Sequence, residues 1–179
     1  MRATLESCYS SLSYHVKYCF MYLSIFQEDL NIKRRRLVKR WIDEGYMMGI
    51  WGPEAEKLGE NVFNEFLSMT FIQPTKYAAI TSGRVTSCSI HPLMLQLSTV
   101  EAKEEKLVCI LDNDHSDVVS GDIIRHLVVR RNWSRDNEDR YKSMDLSCVR
   151  SLTVFSGGHF SCHATCTSWG CWIWKPWKV

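Results

Sequence analysis

Five metal-ligating side chains crowd into residues 159–171: His159, Cys162, His163, Cys166 and Cys171. The types and the Cys162-x3-Cys166 spacing are ones zinc accepts. A structural zinc site, however, normally takes two ligand pairs separated by a folded stretch, and here all lie together beside a tryptophan cluster. No metal is therefore expected there. A second group, Asp112, Asp114 and Asp117 with His115, has the alternation of a calcium loop. An EF-hand needs glycine at loop position six and glutamate at twelve, and counting from Asp112 those positions hold Asp117 and Ile123. It reads as a solvated loop. The third group is cationic: Lys33, Arg34, Arg35, Arg36, Lys39 and Arg40. On a helix these could grip phosphates, as the recognition helix of a DNA-binding protein does.

Catalytic constellations are missing. The chain has no Gly-x-x-x-x-Gly-Lys-Ser/Thr phosphate loop, no Gly-x-Gly-x-x-Gly, no His-Glu-x-x-His and no Gly-x-Ser-x-Gly. The expectation is a protein that is not an enzyme. Over 179 residues, 45% are hydrophobic and 23% charged, which excludes wholesale disorder. With 22 basic against 20 acidic residues the net charge is +2, too balanced to argue for a nucleic-acid or membrane partner. The longest apolar run, Tyr18 to Phe26, is too short to span a bilayer. The N-terminus lacks the basic start and apolar stretch of a secretory signal, so a cytoplasmic location is expected. Cys8, Cys19, Cys88, Cys109 and Cys148 are scattered singly and read as unpaired structural thiols.

The elements that must position these groups follow from periodicity. A short helix is expected over Thr4–Ser10. From Tyr14 to Phe26 apolar residues cover almost the whole helical circumference, the pattern of a buried central helix. Asn31 is a candidate cap for a helix from Lys33 to about Glu44, ended by Gly45, with Leu37, Val38, Trp41 and Ile42 as its apolar face. After Gly52-Pro53, the residues Ala55, Leu58, Val62, Phe66 and Met69 form one stripe, and Glu54, Glu56 and Glu60 sit near the positive helix end. Phe71–Pro74 and Val85–Ile90 flank a Ser82-Gly83 turn and read as a hairpin. A helix follows from His91 to Val100, with Leu93, Leu97 and Val100 in register. Helices followed by a small hairpin give the layout of a winged-helix domain, a mainly α fold with small β (α+β).

Beyond it, Leu107–Leu111 reads as a strand. The pattern Arg-x-Leu-x-Val then occurs twice, at Arg125–Val129 and Arg150–Val154, an offset within the range of leucine-rich repeats. From Ser156 to Val179 there is no acidic residue, and four of the seven tryptophans fall there.

The block Lys17-Tyr18-Cys19-Phe20-Met21-Tyr22-Leu23-Ser24-Ile25-Phe26-Gln27-Glu28-Asp29 resembles the winged-helix part of the NB-ARC domain of plant nucleotide-binding leucine-rich-repeat disease-resistance proteins. A second block, Leu37-Val38-Lys39-Arg40-Trp41-Ile42-Asp43-Glu44-Gly45-Tyr46, is similar to that family's Leu-x-x-x-Trp-x-Ala-Glu-Gly-Phe. Gln27 for proline and Asp43 for alanine are single departures. The resemblance runs through Cys88–Leu97 and covers roughly residues 5–155.

It implies that His91 is the histidine that contacts the phosphate of a bound nucleotide in the resting receptor. Pro92 stands where the family has an aspartate that helps hold the receptor off. It also implies residues 1–105 as a winged-helix domain and 106–155 as a linker with the first leucine-rich-repeat-like strands. The family's phosphate loop and other nucleotide-binding subdomains would lie before Met1, making this a truncated piece. Residues 156–179 match nothing in the family and are expected to be a disordered tail, read out of frame or past a splice boundary. The function so implied is the regulatory module of an ADP/ATP switch in defence signalling. No cofactor is expected in isolation, and ADP or ATP is expected in the intact family member. The expected partners are nucleotide-binding and leucine-rich-repeat domains, intramolecular or intermolecular, with no membrane and no nucleic acid. The alternative is an autonomous winged-helix DNA-binding protein using helix 33–40.

Overall fold

The computed structural model describes residues 7, 9–28, 30–78, 83–111, 124–130 and 147–155. The chain divides into two compact units, residues 1–100 and 101–179. In the first, α1 (Tyr14–Met21) runs into a 3-10 turn over Tyr22–Ile25. Then come β1 (Ile32–Lys33), α2 (Arg34–Asp43), α3 (Pro53–Ser68), β2 (Ile72–Tyr77) and β3 (Val85–Ile90). Helix α4 spans Pro92–Glu104. A helix, a short strand, two helices and a hairpin form the winged-helix arrangement. Of the short helix expected at Thr4–Ser10, Ser7, Tyr9 and Ser10 are described and helical.

The central helix is buried as its composition demands, with every residue from Cys19 to Phe26 inside, although its first residue, Tyr14, is exposed. Four rings hold the core together. Phe66 of α3 meets Phe20 of α1 at 6.2 Å, Trp41 of α2 at 5.6 Å and Phe71 at 5.7 Å between centroids. Phe20 also meets Phe71 at 5.3 Å. Offset and edge-on ring pairs of this kind add to plain area burial.

Helix α2 lies so close to α3 that a side chain at Gly59 would place its Cβ 2.7 Å from Val38 Cγ1. The α2–α3 connection turns on Gly45, Met48, Gly49 and Gly52, all at positive φ. That conformation suits glycine and is unusual at Met48.

The first sheet has strand order β1-β3-β2, antiparallel throughout. Here the structure departs from two expectations. Lys33 is not the first helical residue: it pairs with Ser87 as part of β1 and then caps α2 with its backbone alone. Asn31, expected as the cap, instead accepts a hydrogen bond from the Thr75 hydroxyl at 2.7 Å. In α4 the buried positions are Met94, Leu95, Ser98 and Ala102. Leu93 and Leu97 are half-buried and Val100 is exposed, so the core stripe is turned from the expected one.

The second unit contains β4 (Val108–Leu111), β5 (His126–Val129) and β6 (Ser151–Val154) in a parallel sheet of order β4-β5-β6. The two Arg-x-Leu-x-Val segments lie side by side with Leu127 opposite Leu152, so the sequence offset is the strand register. Strand β4 adds a third rung, Val108 opposite His126, that lacks the motif. Leu111, Ile124, Leu127, Val129 and Leu152 form its core cluster. The acidic loop at 112–117, the metal-ligand types of residues 159–171 and the tail 156–179 lie outside the described residues.

Candidate functional site

His91 sits at the joint between β3 and α4. Its amide donates to the Phe71 carbonyl at 3.2 Å, prolonging the β2–β3 ladder past Ile72 and Ile90. Its carbonyl accepts from the amides of Met94 and Leu95, at 2.9 and 3.0 Å. Its ring caps the same helix, because Nδ1 accepts the Leu93 amide at 3.2 Å. Proline at 92 suits this start, since the first helical residue needs no N–H. An Nδ1 that accepts a backbone N–H carries no proton, so the neutral ring holds its proton on Nε2. The half-buried imidazole is thus fixed in orientation with one donor left, which suits a phosphate oxygen. Among the described residues no group of three or more histidine, cysteine or acidic side chains is placed to hold a metal.

The cationic group is split by the fold. Arg34 is buried, its guanidinium 4.6 Å over the Phe63 ring and paired with Glu60 of α3. Arg84, just before β3, reaches the same carboxylate oxygen at 2.8 Å. Arg40 lies 5.6 Å from the Phe26 ring centroid, and with Glu44 it hydrogen-bonds to the buried Tyr22 hydroxyl. Burial pushes that phenol well above its usual range. Lys33, Arg35, Arg36 and Lys39 remain exposed.

The helix order bears on the DNA-binding alternative. In a helix-turn-helix pair the second helix enters the major groove. The basic helix α2 is the first of the pair, not the second. The second, α3, carries Glu54, Glu56, Glu60 and Glu65 against the single Lys57. Glu54 and Glu56 are exposed in its first turn, where base edges would be read. Duplex phosphates would meet carboxylates there.

Two features were not anticipated from sequence. Glu60 bridges residues 26 and 24 positions away, and no local pattern signals that. An aromatic row also links α1 to the loop after α2: Tyr14 to Tyr18 at 4.9 Å, Tyr18 to Tyr46 at 5.7 Å and Tyr46 to Tyr22 at 5.8 Å. Cys19 and Cys88 are buried and unpaired, as a small hydrophobe should be. Burial raises both thiols, Cys88 to about 12, so neither is a ready nucleophile. In the second unit, His126 Nδ1 lies 2.6 Å from Ser151 Oγ. Burial lowers this histidine to about 4, with Arg125 and Arg150 adding to the shift, so it makes a poor base for activating the serine.

No helix among the described residues is long and apolar enough to cross a membrane. A family model described as "Disease resistance protein Winged helix domain" matches residues 25–98. Disease resistance protein PIK6-NP of Oryza sativa subsp. japonica is 30% identical over 151 residues, covering 84% of this chain and 14% of the relative. Disease resistance protein Pik-2 from the same plant is 29% identical over the same extent. A putative late blight resistance protein homolog of Solanum demissum is 28% identical over 125 residues, 70% of this chain and 10% of the relative. The chain therefore spans about a seventh or less of these curated relatives. The two blocks around Cys19 and Trp41 build α1 and α2 of the observed domain. By fold and by sequence, this chain carries the winged helix domain of the plant disease resistance proteins and belongs to that family.

Proposed function

We propose that the chain is the regulatory winged-helix module of an ADP/ATP switch in plant defence signalling, with His91 as its contact to the nucleotide. The observation that carries this reading is the His91 ring, oriented by the Leu93 amide with Nε2 left to donate. A bound ADP would supply the anionic oxygen that such a donor needs. One imidazole holds a phosphate weakly, so the remaining grip comes from the other nucleotide-binding subdomains of a whole receptor. Those subdomains and the leucine-rich repeats are the proposed partners, within one chain or between chains. Pro92 in place of the family's aspartate leaves the resting state to His91 without a neighbouring carboxylate. The rungs β4 to β6 are read as the first turns of the repeat array, following a winged-helix domain over residues 1–105.

Titrating ADP into the 179-residue chain while following ring resonances by NMR tests the contact. The expected result is a shift at His91 with a dissociation constant of about 1 mM or weaker, as for a single charge-assisted contact. Tight capture of ADP or ATP by this chain alone, or shifts that spare His91, would contradict it.

A further inference from the structure

We infer that Arg125 and Arg150, at one end of the parallel sheet, form a binding site for a phosphate monoester dianion. Each stands one residue before its strand, Arg125 ahead of β5 and Arg150 ahead of β6. The strands run parallel and in register from His126 and Ser151, so the two arginines hold equivalent places on neighbouring rungs. Their backbones are tied there: the Arg125 carbonyl accepts the amides of Arg150 at 2.8 Å and Ser151 at 3.3 Å. Neighbouring strands lie about 4.8 Å apart, so two full charges start within one strand spacing.

Both side chains are exposed, and among the described residues neither guanidinium has a carboxylate partner. Like charges side by side on adjacent strands are destabilising. The two also act on one neighbour: after burial itself, they are what lowers His126. Both charges therefore reach the same patch of sheet. At about 4, the imidazole is uncharged near neutral pH, so the charge offered to an anion is that of two guanidiniums. The row ends on one side at β4, where the equivalent place holds the buried Leu107.

Two forks and two charges select the ligand. A guanidinium pairs with an oxyanion through two parallel N–H bonds. One carboxylate is filled by one such fork and neutralises one charge. A phosphate diester also carries one charge, and a long polyanion would find no third cation at Leu107. A phosphate monoester carries close to two charges near neutral pH and has three terminal oxygens, enough for both forks. Free phosphate and a phosphorylated serine or threonine of a protein share this chemistry.

The probes are inorganic phosphate, N-acetyl-phosphoserine amide and acetate, each titrated at about pH 7.5, where the phosphates are largely dianionic. They are added to the isotope-labelled 179-residue chain, with the arginine Nε–H and the His126 and Ser151 amide resonances followed by NMR. The expected result is a saturating shift at these groups, with a dissociation constant of about 1 mM for the phosphates and at least about tenfold weaker binding of acetate. Phosphoserine binding about tenfold tighter than inorganic phosphate assigns the site to a modified protein, and equal binding assigns it to free phosphate. R125Q/R150Q should abolish the amide shifts, and R150Q alone should weaken binding by about tenfold. Circular dichroism separates a folded variant from an unfolded one, and R150Q keeps the test decisive if the double variant unfolds. Acetate bound as tightly as phosphate, or amide shifts that persist in R125Q/R150Q, would overturn the inference. So would the absence of any shift with about 20 mM phosphate.

Discussion

Glu60 stands between two guanidiniums, one buried and one exposed, and each comes from a different element. Removing its charge would leave Arg34 inside the protein over the Phe63 ring without the carboxylate that pairs with it. Breaking a buried pair from one side costs more than the pair itself contributes, because the remaining ion is still desolvated. E60Q should therefore destabilise the first unit by about 3 kcal/mol in urea unfolding, whereas R84Q, at an exposed position, should cost well under half of that. His126 makes the second prediction at this scale. Its folded-state value near 4 lies below the usual 6.5, so the unfolded chain binds the extra proton first. The stability it contributes is complete above about pH 6.5 and is lost as pH falls towards 4. By pH 5.5 the loss should reach about 1 kcal/mol relative to neutral pH. H126N, which keeps a polar partner for Ser151, should flatten that slope. Unfolding curves at pH 7.5 and 5.5 for both proteins check it.

Between elements, the tight crossing of α2 and α3 at Gly59 sets two effects against each other. Alanine in a helix interior gains up to about 1 kcal/mol over glycine. The new Cβ would meet Val38 Cγ1 at 2.7 Å, and a β-branched side chain on a helix has little rotamer freedom to retreat. Overpacking costs about 1–3 kcal/mol, so G59A should lower the melting temperature and G59A/V38A should regain part of the loss. The elements also show what could be read in advance. Helix α3 declared itself through Gly52-Pro53, an acidic first turn and an apolar stripe, all local signals. Strand β1 did not, because two residues carry no periodicity and its pairing with β3 bridges more than fifty positions. Helix α4 was recognised but turned, since Ser98 and Ala102 are buried by packing and not by hydropathy. His91 was legible only through resemblance to a family. Nothing in its spacing distinguishes it, and its cap on Leu93 becomes visible only when β3 and α4 are joined.

At the scale of the whole molecule, the winged helix packs around Phe66, and His91 lies at the joint where its sheet meets its last helix. On the proposed function, such a domain reports on a nucleotide without enclosing one: the oriented Nε2 donor of His91 would tie it to the phosphate, and loss of that tie would release it. Segment 14–104 grafted in place of the winged helix of the rice relative Pik-2 puts this directly to the test, with nucleotide extracted from the purified receptor and quantified. The account predicts that the graft copurifies with stoichiometric ADP and that H91A loses most of it while the domain stays folded. Full ADP retention by the H91A graft would contradict it.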